Sequence, residues 1–546
     1  MPAERDPAAV ESATRRAGLP VEVAEVVEIL DIGWERIQLR LTLLGASAGG
    51  EPRWVRPDDA GATMPPTWVE TGAKLRLRYN VMLGPGQMPM AAGRWVLADA
   101  QGRPLQVGNP EAIEPEAIAR FFRFRGGYFD ARPSVDPGTR ALVLDVDARR
   151  GARSRRRSKR IRSWFKRAAG GPRGGIFGLL LWWYAATGRR TGRRVLFTSD
   201  SRAELSGNLA VVHDRMVERG LDRRYVLESI FKPGIATRRG WRDRLRLPRL
   251  LARADVILLD DYQPIIYRVP PRPDVRIVQL WHASGAFKTV GYSRVGKPGG
   301  PSPYAWRHKN YTHAIVSSRH DVPFYAEAFG IPEERVVPTG IPRMDRFFDE
   351  GQRALGRQKA IDAFPAMVGR STILFAPTFR GSGPRRAHYD YELIDFAALH
   401  RVCVEKDAVM ILKMHPFVRE PWPIPEALRD RLIDGTQTPV DVNDLLFAVD
   451  LLITDYSSIV FEYSTLQRPM LFFAYDLDEY VASRDFYVPF EEFVPGRIAR
   501  TFEELLEALR REDYEAEKVP VFAARHFDHL DGTSTDRIID ELIIGR

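Results

Sequence analysis

After residue 192 the chain repeats one device: a short, continuously apolar run that stops abruptly at polar residues. RVLFTSD, YVLESIF, ADVILLDD, VRIVQLWH and THAIVSS form a first series, and STILFAPT, VMILKMHP, LLITDYSS and MLFFAYD a second that begins near residue 371. Segments with helical periodicity alternate with them, such as NLAVVHDRMVERG, LIDFAALHRVCVEKDA and TFEELLEALRRE. Strands apolar on both sides must be covered on both sides, and helices between such strands make the sheet parallel. The pattern therefore predicts an α/β chain with two similar α/β domains facing one another, over residues 192–340 and 341–546. Open sheets of this kind bind ligands beyond the carboxyl ends of their strands, so the polar residues that end each run are where chemistry should lie.

The preceding chain has a different period. In RIQLRLTLL, Ile37, Leu39, Leu41 and Leu43 alternate onto one face, and KLRLRYNV alternates through Leu75, Leu77 and Tyr79. RWVLAD and ALVLDVD are further short strand candidates, separated by turns such as LGPGQMP and DAQGRP. Period two with Gly- and Pro-rich turns predicts an antiparallel β-sandwich over residues 20–147, an accessory or binding module. A flexible stretch, 1–19, precedes it and shows no apolar signal segment.

The net charge of +10 is concentrated in one place: residues 148–199 hold 16 Lys or Arg and no Asp or Glu. The rest of the chain is mildly acidic, which argues against a surface broadly adapted to nucleic acid. Within 148–191, a basic run interleaved with Ile161, Trp164 and Phe165 is followed by an apolar, aromatic run over 176–186, closed by Arg189 and Arg190. That run falls short of the about 20 residues needed to cross ~30 Å of hydrocarbon. An interfacial anchor on an anionic membrane surface fits, with Trp182, Trp183 and Tyr184 at the boundary. A buried helix after a solvated linker is the plain alternative, and RNA or another polyanion a third. The single cysteine, Cys403, excludes an intramolecular disulfide and a Cys-based zinc site; it reads as a small core residue in a chain suited to a reducing compartment.

The strand ends supply the candidate site. After VRIVQL come Trp281 and His282, with Lys288 in the loop beyond; after RVVP come Thr339, Gly340, Arg343 and Asp345. Thr378 and Arg380 follow ILFAP, His415 follows VMILKM, and Asp455, Ser457 and Ser458 follow LLIT. Each alone could cap a helix or hydrogen-bond within a core; several ends converging on one cleft make a site. Asp455 to Ser458 fall where a helix begins, and its unpaired N–H groups suit either these side-chain caps or a phosphate. Glu462 projects about one turn further along, as a reach towards a ribose hydroxyl or as a solvated acid. Mg²⁺ would be admitted only by two DxD spacings, Asp145–Asp147 and Asp476–Asp478. No HExxH or phosphate-loop lysine motif is present, so positive charge for a diphosphate would come from Arg343, Arg380, His282 or His415 with helix N-termini.

Taken in order, QLWHASGAFKTVG, VSSRHDVPFYAEAFGIPEERVVPTGIPRMDRFF, ILFAPTFRGSG, ILKMHP, DVNDLLFAVDLLITDYSSIVFEY and the tail FDHLDGTSTDRI resemble the CDP-glycerol glycerophosphotransferase family, the teichoic-acid polymerases and primases. The resemblance runs from about residue 192 to the C-terminus. It implies a GT-B-like pair of Rossmann-type domains, with the nucleotide held mainly by the second. It implies transfer of a polyol phosphate, glycerol phosphate foremost, from CDP-glycerol or a related CDP-polyol to a hydroxyl of a lipid-linked acceptor, releasing CMP. It further implies a peripheral enzyme on the cytoplasmic face of the cell membrane, with no nucleic-acid partner. On this reading His282 is the general base for in-line attack on the β-phosphorus. His415 and Arg380 stabilise the diphosphate, Ser457 and Ser458 bind a phosphate, and Asp455 orients a histidine or arginine or caps the helix. The family's stretch after the first His reads close to WHGTPLKKIG; here WHASGAFKTVG keeps His282 and Lys288 and replaces the Gly, Thr and Pro. The alternatives are a nucleotide-sugar glycosyltransferase of the same fold, a non-catalytic envelope-binding protein, and a nucleic-acid binder using the basic segment alone.

Overall fold

A computed structural model describes residues 25–45, 50–150, 172–188, 191–234, 237–268, 274–381 and 385–545. The N-terminal stretch 1–19 and most of the basic run, 151–171, lie outside the described residues.

Two facing sheets form the N-terminal unit. One runs in the order Trp68–Glu70, Leu75–Asn80, Gln38–Leu44, Val26–Glu35, Gln106–Val107; the other Asp59–Met64, Arg53–Arg56, Gly93–Ala98, Leu142–Arg150, Gly127–Val135, Arg120–Phe124. Neighbours are antiparallel except for the short pairing of Val26–Val27 with Gln106–Val107. The period-two residues do what their spacing requires: Leu39, Leu41, Leu43, Leu77 and Tyr79 are buried between the sheets with Trp54 and Trp95.

The first α/β sheet contains β1 (Arg194–Ser199), β2 (Val226–Phe231), β3 (Val256–Leu259), β4 (Arg276–Gln279), β5 (His313–Ile315) and β6 (Val336–Val337). They are all parallel, in the order β2-β1-β3-β4-β5-β6. The second contains β7 (Ser371–Phe375), β8 (Ala408–Leu412), β9 (Leu432–Asp434), β10 (Leu451–Thr454), β11 (Met470–Phe473) and β12 (Arg497–Ala499). Its order, β9-β8-β7-β10-β11-β12, is that of dinucleotide-binding sheets, with the chain reversing direction of travel between β7 and β10. The first sheet reverses between β1 and β3. The edge strands β9 and β12 went unforeseen because three residues carry no readable period.

Five helices position the site. Helix α1 (Pro172–Thr187) lies against α3 (Trp241–Arg253): Leu181 joins the core beside Leu247, Leu250 and Leu251, and Arg253 covers the Tyr184 ring at 5.7 Å. Their outer sides expose Ile176, Leu179, Trp182, Trp183, Trp241 and Leu245. Among the described residues no helix is long and apolar enough to cross a membrane. Helix α2 (Gly207–Glu218) follows β1, α4 (Val322–Phe329) follows β5, and α5 (Ile459–Ser464) follows β10. The sandwich locks onto α4 through Glu327, a buried carboxylate whose two oxygens accept Arg36 Nε at 2.7 Å and Gln38 Nε2 at 2.9 Å.

The expected boundary near residue 340 assigns the C-terminal tail to the second domain, whereas the tail returns to the first. After helix α6 (Lys518–His526), helix α7 (Ser534–Arg537) and a terminal turn over Ile538–Ile544 pack on α2 and β4. Arg215 and Arg219 pair with Asp536, Arg219 with Asp540, and Arg276 donates to the carbonyls of Leu542 and Ile543. Cys403 is a buried core residue, and burial pushes its thiol up to about 12.

Candidate active site

The first wall of the cleft is the end of β4. Gln279 Oε1 accepts the Trp281 N–H at 2.9 Å, and Asn208 Nδ2 from α2 donates to the Trp281 carbonyl at 2.7 Å. Between these restraints Trp281 is held at φ +48°, a conformation an L-residue with a bulky side chain adopts only under strong constraint. The next residue, His282, is thereby turned into the cleft. Half of its side chain is open, and its Nδ1 lies 3.9 Å from Asp261 Oδ1, which follows β3. The withdrawal of water by the cleft walls lowers the imidazole pKa below its usual value; Asp261 opposes this and Arg343 adds to it.

Arg343 crosses to the second domain. It pairs with Glu462 of α5, and Ser284 Oγ donates to the same carboxylate at 2.8 Å while accepting Arg343 Nη2 at 3.2 Å. Glu462 was expected to face a ribose or solvent; it is instead buried and spent on this bridge between the domains. Gly285, one residue on, passes so close to α5 that a Cβ there would overlap the Phe461 ring.

The second wall is the reversal point between β7 and β10. Asp455 Oδ1 accepts both the Thr378 N–H at 2.8 Å and its hydroxyl at 2.7 Å, and Asp455 Oδ2 pairs with Arg380 at 3.0 Å. Arg380 also makes a two-pronged contact with Asp476, at 2.6 and 2.8 Å. Four tyrosines, 389, 456, 475 and 480, surround its guanidinium at 5.1–5.8 Å. Burial works against this charge, and Asp455 and Asp476 more than restore it, leaving the pKa raised. Arg380 is thus largely committed to two carboxylates, which suits a residue that holds the wall in shape. Asp455 likewise joins β7 to β10 rather than capping α5.

Lys288 and His415 complete this side. The Lys288 ammonium reaches from the first domain over the Tyr480 ring at 5.4 Å. Burial lowers its pKa to about 8 although Asp455 pulls upward, with Arg484 and Arg380 reinforcing the drop. His415 lies against Phe379 and Phe417, ring centroids 4.9 and 4.5 Å away. Its Nδ1 accepts the Phe417 N–H at 3.2 Å, which in the neutral ring puts the proton on Nε2 and makes that atom a donor. Burial, then Lys288, lowers its pKa. Ser457 Oγ accepts the Ile459 N–H at 3.4 Å, whereas Ser458 is exposed and makes no side-chain cap on the six-residue α5.

Three expected ligands lie elsewhere. Asp345 caps α7, its carboxylate accepting the N–H groups of Ser534 and Thr535 at 3.0 and 2.8 Å and the Thr535 hydroxyl at 2.5 Å. The Thr339 carbonyl accepts Arg537 Nε at 2.9 Å, and at Gly340 a Cβ would overlap Ser534. This stretch docks the tail, which a sequence without the tail's position could not reveal. Neither DxD pair gathers for a metal: Asp476 is held by Arg380 and Tyr456 while Asp478 is exposed, and Asp145 pairs with Arg94 while Asp147 accepts from Tyr128. Conversely Asp261, Ser284 and Asn208 belong to the site and went unremarked, and Asp476, read only as a metal candidate, holds Arg380. The doubled acid in ADVILLDD, at the end of a strand beside the reversal point, was the available signal for Asp261.

A family model described as CDP-glycerol:poly(glycerophosphate) glycerophosphotransferase matches residues 185–544. The teichoic acid ribitol-phosphate polymerase TarK of Staphylococcus aureus is 50% identical over 353 residues, 65% of this chain and 69% of that relative. TarL, the ribitol-phosphate polymerase of the same species, is 44% identical over 418 residues, 76% of this chain and 74% of its own length. Relatives named for glycerol phosphate are more distant, the Bacillus subtilis primase being 26% identical over 295 residues, 53% of this chain and 74% of its own. Among solved structures, the wall teichoic acid polymerase TagF shares the fold, with a TM-score of 0.53 at 22% identity over 67% of this chain and 92% of that one.

Proposed function

This chain belongs to the CDP-glycerol:poly(glycerophosphate) glycerophosphotransferase family, and we propose that it transfers ribitol phosphate from a cytidine-diphosphate polyol to a hydroxyl of a teichoic-acid-type polymer. That it is a transferase of polyol phosphate follows from the family. Glycerol phosphate was the first expectation from sequence; the gradient of identity, 50% and 44% to ribitol-phosphate polymerases against 26% to a glycerol-phosphate primase, favours ribitol.

The observation that carries the mechanism is a cleft with an accessible, neutral imidazole on one wall and a cation with a second imidazole on the other. His282 has Asp261 on its Nδ1 side, which leaves Nε2 to accept the proton of the acceptor hydroxyl. The acceptor oxygen forms a bond to the β-phosphorus as the bond from that phosphorus to the bridging oxygen breaks, and CMP carries away the electron pair. Such transfers depend chiefly on positioning and on charge stabilisation. His415 Nε2–H and the Lys288 ammonium donate to diphosphate oxygens, and the Ser457 and Ser458 hydroxyls line the same wall. Arg380, Asp455 and Thr378 position that wall, and Arg343 with Glu462 sets the distance between the walls.

The exposed apolar residues of α1 and α3 stand beside Arg242, Arg244, Arg246 and Arg249, a combination that suits the boundary of an anionic bilayer. The protein then works as a peripheral enzyme on the cytoplasmic face, where a lipid-linked acceptor would be presented. The deciding experiment is a donor screen with purified protein and a polyol-phosphate primer, following CMP release and product mass. CDP-ribitol should be consumed fastest. Exclusive use of CDP-glycerol would reverse the choice of polyol, and turnover of UDP-sugars instead would remove the phosphotransferase reading.

A further inference from the structure

The connection between β4 and β5 is the longest in the first sheet, and it carries the stretch where this chain departs from the family sequence. Part of it walls a cavity of about 260 Å³, lined by Tyr262, Gly291, Tyr292, Arg294, Arg307 and His308 among others. The cavity adjoins the base. Tyr262 follows Asp261, the acid beside His282, and the Trp281 ring lies 4.4 Å from the His282 ring and 6.4 Å from that of His308.

The lining has a definite chemistry. The Arg307 guanidinium lies over the Tyr262 ring at 5.7 Å and is exposed, and Arg294 donates from Nη2 to the Pro298 carbonyl at 2.9 Å. Neither makes an ion pair among the described residues, whereas Arg202, Arg343 and Arg380 around the same cleft are each neutralised by a carboxylate. His308 is buried, and burial lowers its pKa to about 3, so the back wall is neutral. Two guanidiniums without ion-pair partners among the described residues, one of them over the Tyr262 ring, match a phosphodiester of a polyol-phosphate chain.

The N-terminal sandwich holds this wall in place. Tyr292 and Val295 are buried in the sandwich core, not in that of the α/β domain. Phe124 of the sandwich packs against Tyr304 at 5.7 Å, and Lys309 donates to the Gln87 carbonyl while covering the Tyr292 ring at 4.8 Å. Gly296, at φ +83°, lies against Phe122, where a Cβ would come within 3.3 Å of the ring.

We propose that this cavity is an acceptor subsite, taking a phosphodiester of the polyol-phosphate chain next to the unit whose hydroxyl His282 deprotonates, and that the sandwich serves to shape it. The proposal rests on the transferase reading of the cleft. It is tested with Arg307→Gln, Arg294→Gln and the double variant, using an oligo(ribitol phosphate) acceptor at fixed donor concentration. The KM for the oligomer should rise about tenfold for each guanidinium removed, with the KM for the donor unmoved, and the salt dependence of oligomer binding by the full-length protein should flatten. Phe122→Ala, remote from the reacting atoms, should raise the oligomer KM in the same sense. Arg307 is exposed, so its variant should keep the fold if the double one does not. An oligomer KM that stays at the wild-type value in Arg307→Gln and Arg294→Gln, in an enzyme that still transfers, overturns the subsite alone. A wild type that binds the oligomer with salt-sensitive, Arg307-dependent affinity but transfers nothing overturns the transferase reading and leaves the subsite standing.

Discussion

On the proposed reading of the cleft, Lys288 should set the alkaline edge of activity. Its ammonium is withdrawn from water over Phe287 and Tyr480, and burial takes its pKa from 10.5 to about 8 against the pull of Asp455. A lowered lysine pKa means the charge is lost as pH rises through about 8, in a range where an ordinary lysine stays protonated. His282 shifts downward as well, so its basic form persists into mild acid. The profile of kcat/KM for the donor, which reports the free enzyme, should therefore rise from an acid limb below 6.5 and fall along an alkaline limb centred near 8. One unit above that midpoint only about a tenth of the molecules keep the ammonium, so kcat/KM should be about tenfold below its plateau. Lys288→Arg keeps a charge throughout and should remove the alkaline limb, while Lys288→Gln should depress the whole plateau. The assay is CMP release at subsaturating donor, from about pH 5.5 to about pH 9.5 at constant ionic strength. An alkaline limb of the same midpoint in the Arg variant would show that another group carries it.

His282→Ala should lower turnover about 10²-fold or more while leaving donor binding measurable by calorimetry; wild-type turnover would remove its role as base. Arg343→Met strands the buried Glu462 carboxylate and should destabilise the protein by about 3–5 kcal/mol in urea unfolding, with part of the loss recovered in the Arg343→Met/Glu462→Leu double variant. Asp345→Ala removes three hydrogen bonds that start α7 and should cost about 1–2 kcal/mol by the same measurement, with the donor KM unchanged. Replacing Trp182, Trp183 and Trp241 by Ser should abolish flotation with anionic vesicles at physiological salt; unchanged flotation would refer membrane contact to another surface.

Much of the architecture could be read from period alone. Runs apolar on both faces became parallel central strands, and alternation in RIQLRLTLL and KLRLRYNV became neighbouring antiparallel strands of one sheet of the sandwich. The edge strands β9 and β12 escaped because three residues have no period. The candidate site was legible where an apolar run stopped at polar residues, which is how His282, Thr378 and Asp455 came to notice. What sequence could not resolve was competition for each polar group. Arg380 and Glu462 have the chemistry of ligands, but each found a charged partner far along the chain, Asp476 and Arg343, and spent its donors or acceptors there. Asp345 was lost to a tail nearly two hundred residues away. The sandwich is the clearest case. No period announces that it grips a loop of another domain, through Phe124 against Tyr304 and the Gln87 carbonyl accepting from Lys309.

The tail that closes back on α2 and β4 also has a bearing on how this protein is made. A ribosome makes the strands of the first α/β sheet long before it reaches the residues after α6, yet Arg215, Arg219 and Arg276 meet their partners only there. The nascent front half must wait, with that flank uncovered, until synthesis of the back half has finished. A nonsense change between α6 and α7 would accordingly uncover a flank of a domain translated long before it.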